Sequence, residues 1–296
     1  MTDNTEHAER FTLLKPLLFS IAYEILGSAT ESDDVLQDSY LRWAEVDLDG
    51  VRDTKSYLAQ LVTRQSLNTL RAGARRRENY VGPWLPEPLL VPDASTDVVL
   101  ADSVSMAMLV VLETLTPDER AVFVLREVFG FEYDEIASAV GKSMPAVRQI
   151  AHRAREHVRA RRKRFEPDPA MSAEITGQFL TAATSGDLQA LMALLAPDAT
   201  YTADSDGKVS AARRPVVGAD KVARLVVGLM QTAGKTPGLR MQLATYNNAP
   251  AAVFYRCEHL ETIIIIDVAD GRISHFYAVR NPDKLTGALV RRTLSR

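Results

Sequence analysis

The chain has 296 residues, 46% hydrophobic and 25% charged, with 35 basic against 38 acidic side chains. That is the composition of a globular protein with room for two or three domains, and it excludes a disulfide-built scaffold because Cys257 is the lone cysteine. The longest unbroken aliphatic run, residues 263–266, falls far below the ~20 apolar residues of a membrane helix, so no membrane partner is expected and a reducing, cytoplasmic setting is.

The N-terminus, MTDNTEHAER, is polar and reads without a signal peptide. Residues 10–26 place Leu14, Leu18, Ile21 and Ile25 on one helical face, with Pro16 as start or kink and Gly27 as stop. A second helix over 31–45 sets Leu36, Tyr40 and Trp43 inward and presents Asp33, Asp34, Gln37 and Asp38 on the opposite face. A third, over 54–76, mixes Tyr57, Arg64, Gln65, Asn68 and Arg71 with an inward set of Leu58, Leu61 and Leu70. An aromatic beside Arg and amide side chains suits unstacked bases, because stacking and phosphate attraction act on one groove.

Charge is sharply segregated along the chain. Residues 1–60 carry 5 basic and 12 acidic side chains, whereas 61–77 hold five Arg and no acid. Residues 78–105 have five acids and no base, and residues 141–165 nine bases and one acid. The acidic stretch contains GPWLPEPLLVP, whose four prolines forbid a helix and favour an extended path. Helical periodicity resumes near Val104.

Residues 134–156 read DEIASAVGKSMPAVRQIAHRARE. Ile136, Ala137 and Val140 form a short apolar face, residues 141–143 a turn, and Ser143 and Pro145 a helix start. Val147, Ile150, Ala151 and Ala154 follow at inward spacing. This is a helix-turn-helix, whose second helix enters the major groove. Arg148, Gln149, His152 and Arg153 then face outward, and Arg and Gln are suited to bidentate contacts with guanine and adenine. Arg155, Arg159, Arg161 and Arg162 read as phosphate contacts, which position without specifying.

After EPDPAM (166–171) come helices over 172–184, 187–195 and 219–232, then strands over 239–246, 251–257, 260–269 and 272–279, the last two joined by Asp270-Gly271. Helices followed by antiparallel strands argue an α+β domain. His275 and Tyr277 share a face of the last strand, and Cys257 and His259 share another. A histidine in such an apolar setting is ordinarily a hydrogen-bonded core residue, and no metal-ligand spacing occurs.

Taken in order, SDDVLQDSYLRW, SYLAQLVTRQSLNTLRAGARRR and TPDERAVFVLREVFGFEYDEIASAVGKSMPAVRQIAHRARE resemble the conserved regions of extracytoplasmic-function RNA polymerase sigma factors. FLTAATSGDLQALMALLAPDATYTAD with its late strands resembles the SnoaL-like (NTF2-like) domain fused to one subgroup of them. The resemblance implies a multidomain chain. Two all-α domains, sigma region 2 (1–77) and helix-turn-helix region 4 (106–165), precede an α+β NTF2-like cone (172–296). Linkers at 78–105 and 166–171 join them.

It further implies a non-enzymatic initiation factor that binds core RNA polymerase, through the beta-prime clamp helices and the beta flap, and promoter DNA. Asp33, Asp34, Gln37 and Asp38 match the polymerase-docking surface. Tyr57, Arg64, Gln65, Asn68 and Arg71 match the −10 reader, and Arg148, Gln149, His152 and Arg153 the −35 reader. The acidic linker matches the segment that threads the polymerase channel. Trp84, Leu85, Pro86, Glu87 and Pro88, with Asn281, Pro282, Asp283, Lys284 and Leu285, match an interdomain regulatory contact acting in cis. Residues 204–208, DSDGK, stand where the subgroup carries a DGGGK loop. No cofactor or metal is expected, and a small-molecule ligand of the cone stays open. So do two other readings: a one-component DNA-binding regulator with a ligand-sensing cone, and an NTF2-like cyclase or isomerase fused to a DNA-binding unit.

Overall fold

In the computed structural model, which describes residues 3–91, 97–161 and 169–296, the first helix, α1 (Asp3–Leu26), runs on both sides of Pro16. The proline therefore does not start it. A 24-residue helix buried along Leu18, Ile21, Tyr23 and Ile25 tolerates one missing N–H, and the Ser20 hydroxyl donates to the Pro16 carbonyl at 2.8 Å. Gly27 ends the helix as predicted, left-handed at φ 70° and donating to the Tyr23 carbonyl. A Cβ there would come within 3.1–3.2 Å of Glu113, Arg120 and Trp84, so this corner has no space for a side chain.

Helix α2 (Ala29–Trp43) is capped by Ser28, whose side chain accepts from the Glu31 N–H. It buries Leu36 and Trp43, and the Trp43 indole donates to the His7 carbonyl at 2.9 Å. Helix α3 (Thr54–Glu78) completes the first three-helix unit.

The following segment is extended only as far as Val91. Beyond residues 92–96, which lie outside the described set, Asp97 caps a helix, α4 (Val98–Ser103), and Ser105 caps α5 (Met106–Leu112). Helix therefore begins inside the stretch expected to be linker. Next come α6 (Pro117–Phe123), started by a Thr116/Glu119 capping box, a π-type turn at Val124–Val128, α7 (Tyr133–Val140) and α8 (Met144–Arg161). The helical half has one continuous core: Leu18 and Ile21 of α1 belong to the same buried cluster as Leu109, Val122 and Val147.

The C-terminal half holds α9 (Pro169–Ser185), α10 (Leu188–Leu194), β1 (Leu195–Asp204), β2 (Val216–Val217), α11 (Ala219–Lys235), β3 (Leu239–Tyr246), β4 (Ala249–Arg256), β5 (His259–Ala269), β6 (Arg272–Val279) and α12 (Pro282–Leu285). The sheet order is β2-β1-β6-β5-β4-β3, and β1 runs parallel to β6. The sheet is therefore mixed where four antiparallel strands were expected. Two-residue turns with both φ values positive, Asn247-Asn248 and Asp270-Gly271, close the β3–β4 and β5–β6 hairpins. Cys257 lies at φ 54° in the β4–β5 turn, exposed, and so does not share a strand face with His259.

Both faces of this sheet are covered. Helices α9–α11 pack Phe179, Leu191 and Val222 on one face against Tyr201 and Phe276. On the other, Val253, Ile263, Ile265 and Tyr277 meet Leu85 of the extended segment and Met106 of α5. No helix among the described residues is long and apolar enough to cross a membrane.

Candidate nucleic-acid and partner interfaces

The helix-turn-helix forms as its residues dictate. α7 ends at Gly141, left-handed at φ 69° and open to solvent, and α8 buries Val147, Ile150, Ala151 and Ala154. Arg148, Gln149, His152 and Arg153 are all exposed along the outer face. The Arg148 guanidinium lies 5.5 Å from the Tyr133 ring centroid, and Arg153 sits 3.5 Å from Glu119. Arg161 and Arg159 are exposed, the latter paired to Glu156 one turn back. Arg155 is half-buried and held at 3.0 Å by Glu127, while Arg162 lies outside the described residues.

The outer face of α3 is turned toward α6 and α7. Arg64 donates to the Ser138 carbonyl at 2.7 Å, Ser56 bonds Glu135, and Arg71 bonds Asp118, which also holds Lys142 at 3.0 Å. Tyr57 is one-third exposed beside Trp43, with 5.6 Å between ring centroids. The Gln65 amide oxygen, oriented toward Arg42, accepts from its guanidinium at 2.6 Å, and Asn68 is exposed. The outer face of α3 is thus partly covered by α6 and α7.

On α2, Asp34, Gln37 and Asp38 form an exposed stripe at helical spacing, and Leu41 extends it with 59% of its surface exposed. The sequence reading passed over Leu41, although an aliphatic residue three positions beyond Asp38 lies on the same face. Asp33, the third acid of the group, is already engaged: both of its carboxylate oxygens accept from Arg292.

The extended segment and the C-terminal domain meet in a buried polar seam. Asp204 at the end of β1 is fully buried; it accepts from the Leu85 N–H at 2.7 Å, from the Tyr80 hydroxyl, and from Lys284 Nζ at 2.7 Å. Lys284 also donates to the Leu85 carbonyl and lies 3.8 Å from the Trp84 ring centroid. Burial pulls its ammonium below the usual lysine range, partly offset by Asp204. Asn281 caps α12 and donates to the Tyr80 hydroxyl at 2.8 Å, and Leu285 is buried in the same seam. Pro282 and Asp283 are exposed, and Asp283 pairs with Lys208. The WLPEP and NPDKL segments are therefore in contact. Asp204, the first residue of the DSDGK stretch, and Tyr80 join them; Tyr80 carries no sequence signal of its own.

The seam reaches α2 directly. Glu87, buried between Pro86 and Pro88, accepts from the Ser28 hydroxyl at 2.7 Å and from the Thr30 N–H at 3.0 Å. Its carboxylate thus sits at the positive N-terminus of the helix that carries the acidic stripe. Asn247, wholly buried in the β3–β4 turn, accepts from the Leu89 N–H and donates to the Tyr23 hydroxyl and the Val104 carbonyl.

Where α1 meets α4 and α6, the buried Glu24 carboxyl accepts from the Ser103 hydroxyl at 2.7 Å, and Arg120 donates to the Glu24 carbonyl and pairs with Glu113. Burial pushes the Glu24 carboxyl up to about 8 from an ordinary 4.5. Below 4.5 it is neutral in both folded and unfolded chains; above that only the unfolded chain ionises. Stability should therefore fall by up to about 1.4 kcal/mol per pH unit between about pH 4.5 and 8, and level off above. Urea titrations at pH 5, 6.5 and 8 should show this Glu24 contribution as a slope that Glu24→Gln removes.

In the C-terminal domain, His275 Nε2 is 2.8 Å from the Thr202 hydroxyl, and its ring stacks on Tyr277 at 4.0 Å. Burial lowers its pKa to about 4, so the ring is neutral at pH 7. Among the described residues no group of three or more His, Cys, Asp or Glu side chains could hold a metal.

The family model for Sigma-70 region 2 matches residues 11–76, and that for Sigma-70, region 4 matches residues 105–158. The chain is 39% identical to the ECF RNA polymerase sigma factor SigJ of Mycobacterium tuberculosis, over 94% of this chain and 93% of that one. It is 27% identical to the probable ECF RNA polymerase sigma factor SigI of the same organism, over 90% and 91%. The crystal structure of the SigJ protein superposes with a TM-score of 0.78 at 35% identity, covering 96% of this chain and all of that one.

Proposed function

Because the chain belongs to the extracytoplasmic-function RNA polymerase sigma factors, we propose that it docks on core polymerase through Asp33, Asp34, Gln37 and Asp38 of α2, with Leu41 alongside them, and that its C-terminal domain governs this step in cis. Arg148, Gln149, His152 and Arg153 read the −35 element. Tyr57, Arg64, Gln65, Asn68 and Arg71 read the −10 strand, with Arg155, Arg159, Arg161 and Arg162 on phosphates. The units fall at 1–77, 106–165 and 172–296, and they work in the cytoplasm beside polymerase. The C-terminal domain acts by contact rather than by catalysis, in keeping with a His275 engaged on Thr202 and Tyr277.

One observation carries the regulatory reading: Glu87 binds the N-terminus of α2 while its neighbour Leu85 is gripped by Asp204 and Lys284. A shift in the C-terminal domain is thereby transmitted to the docking helix. In the closed arrangement Arg64 and Arg71 are spent on Ser138 and Asp118, so −10 reading requires α3 to part from α6 and α7.

The test is charge reversal on the docking stripe. Asp34→Lys with Asp38→Lys should weaken binding to core polymerase at least tenfold and remove start-site-specific transcription in vitro, with unfolding unchanged because both side chains are exposed. Wild-type binding and transcription by that double variant would overturn the assignment.

A further inference from the structure

The last six residues, RRTLSR, contain three Arg and no acid, and they return to the helical half instead of ending on the sheet. Arg291 bridges Leu90, and the Arg292 N–H donates to the Leu90 carbonyl at 3.1 Å. The Arg292 guanidinium spans Asp33, with Nη1 2.9 Å from Oδ1 and Nη2 2.5 Å from Oδ2, and stacks 5.1 Å from the Phe19 ring centroid. Leu294 packs against the helical core, and the Ser295 N–H donates to the Ser20 hydroxyl. Arg296 reaches the Val128 carbonyl at 3.3 Å and Asp97, the cap of α4, at 2.6 Å. One short segment thus touches α1, α2, the start of α4 and the turn before α7.

We infer that residues 291–296 are an intramolecular competitor for the polymerase-docking surface. The inference rests on the docking role proposed above for the acidic face of α2, and it concerns a segment distinct from the 281–285 contact. Arg292 neutralises Asp33, the member of the acidic group nearest the helix N-terminus, and holds it in a bidentate geometry that an incoming basic group would need. The tail's attachment to α1 and to residues around Val128 also ties both helical regions together at this edge.

The hold is a displaceable one. Arg292 Nε is buried without a hydrogen-bond partner, which subtracts from the gain of the bidentate pair. Asp33 keeps 38% of its side chain exposed, so solvent screens the attraction. A large basic partner that satisfies Asp33, Asp34 and Asp38 together would outcompete it.

The test measures affinity for core polymerase by fluorescence anisotropy on the full chain, on a chain ending at residue 290, on Arg292→Glu and on Arg292→Gln, with Asp34→Lys alongside. Both Arg292 variants and the shortened chain should bind at least fivefold tighter than the full chain, with Arg292→Glu at or above Arg292→Gln. Asp34→Lys should bind more weakly. Wild-type affinity in both Arg292 variants, with Asp34→Lys still weakened, would overturn the competitor while leaving the docking surface in place. Unchanged affinity in Asp34→Lys would remove the docking surface and the competitor with it. The single Arg292 substitutions leave Leu294 in the core, so they report on the ion pair and not on folding.

Discussion

Lys284→Ala should lower the unfolding free energy by about 3–5 kcal/mol, the usual cost of removing one partner from a buried ion pair. Lys284 is the only cation bonded to the Asp204 carboxylate among the described residues, and both are almost wholly out of water. Without it, the carboxylate keeps the Tyr80 hydroxyl and the Leu85 N–H, neutral donors that do not balance a desolvated charge. The Leu85 carbonyl loses its ammonium donor, and Trp84 loses the cation over its ring. A paired replacement separates charge from packing. Lys284→Met with Asp204→Asn keeps the aliphatic stem on Trp84 and removes both charges, so it should recover most of the loss. Urea unfolding of the two variants beside the parent measures the difference. Equal losses in both would show that the pair's charge contributes nothing and that only shape matters.

The same seam shows what was legible in the sequence. Apolar spacing and a glycine stop gave α2, α3 and the α7–α8 pair nearly to the residue, because each buries one stripe and leaves the other in water. The Asp-Gly turn gave the β5–β6 hairpin. β1 was not visible because Pro197 and Asp198 interrupt its alternation, and a register break between Leu195 and Thr200 absorbs them. α4 was hidden because Val98 and Val99 point outward, leaving a six-residue helix with no amphipathic signal.

Site residues divide the same way. Outward positions on regular helices follow from periodicity, so the exposure of Arg148, Gln149, Asp34 and Asp38 was legible. Contacts between segments far apart in the chain leave no local trace. Nothing in VRRTLSR indicates that Arg292 spans Asp33, 259 positions away, or that Asp204 lies under Tyr80. The charge segregation that drew attention to the basic helix α8 also concealed something. The acidic first block gave no sign of its basic counterpart at residues 291–296, which the fold sets against it.

Asn247 is the sharpest instance of a residue whose sequence meaning, a turn former, understates its role. Asn247→Gly should cost about 2–4 kcal/mol although glycine suits its φ of 51° better than any other residue. The loss comes from the side chain alone: its oxygen takes the Leu89 N–H at 2.9 Å, and its amide gives to the Tyr23 hydroxyl at 2.8 Å and the Val104 carbonyl at 2.9 Å. Removing it leaves the Leu89 N–H and the Val104 carbonyl buried without that partner, at about 1–3 kcal/mol for each unsatisfied group, while Tyr23 still donates to the Glu87 carbonyl. Asn247→Ala should cost about 1 kcal/mol more, since a Cβ without the compensating amide strains the left-handed turn. Hydrogen exchange locates the effect. The Leu89 amide should exchange faster in Asn247→Gly, and amides in the middle of α8 should not, because the lost bonds join the sheet to α1, the linker and the end of α4 and none reaches α8. Unchanged protection at Leu89 would mean that the linker is held by Asp204 and Glu87 without this turn. The path from the C-terminal domain to α2 would then run through those two carboxylates alone.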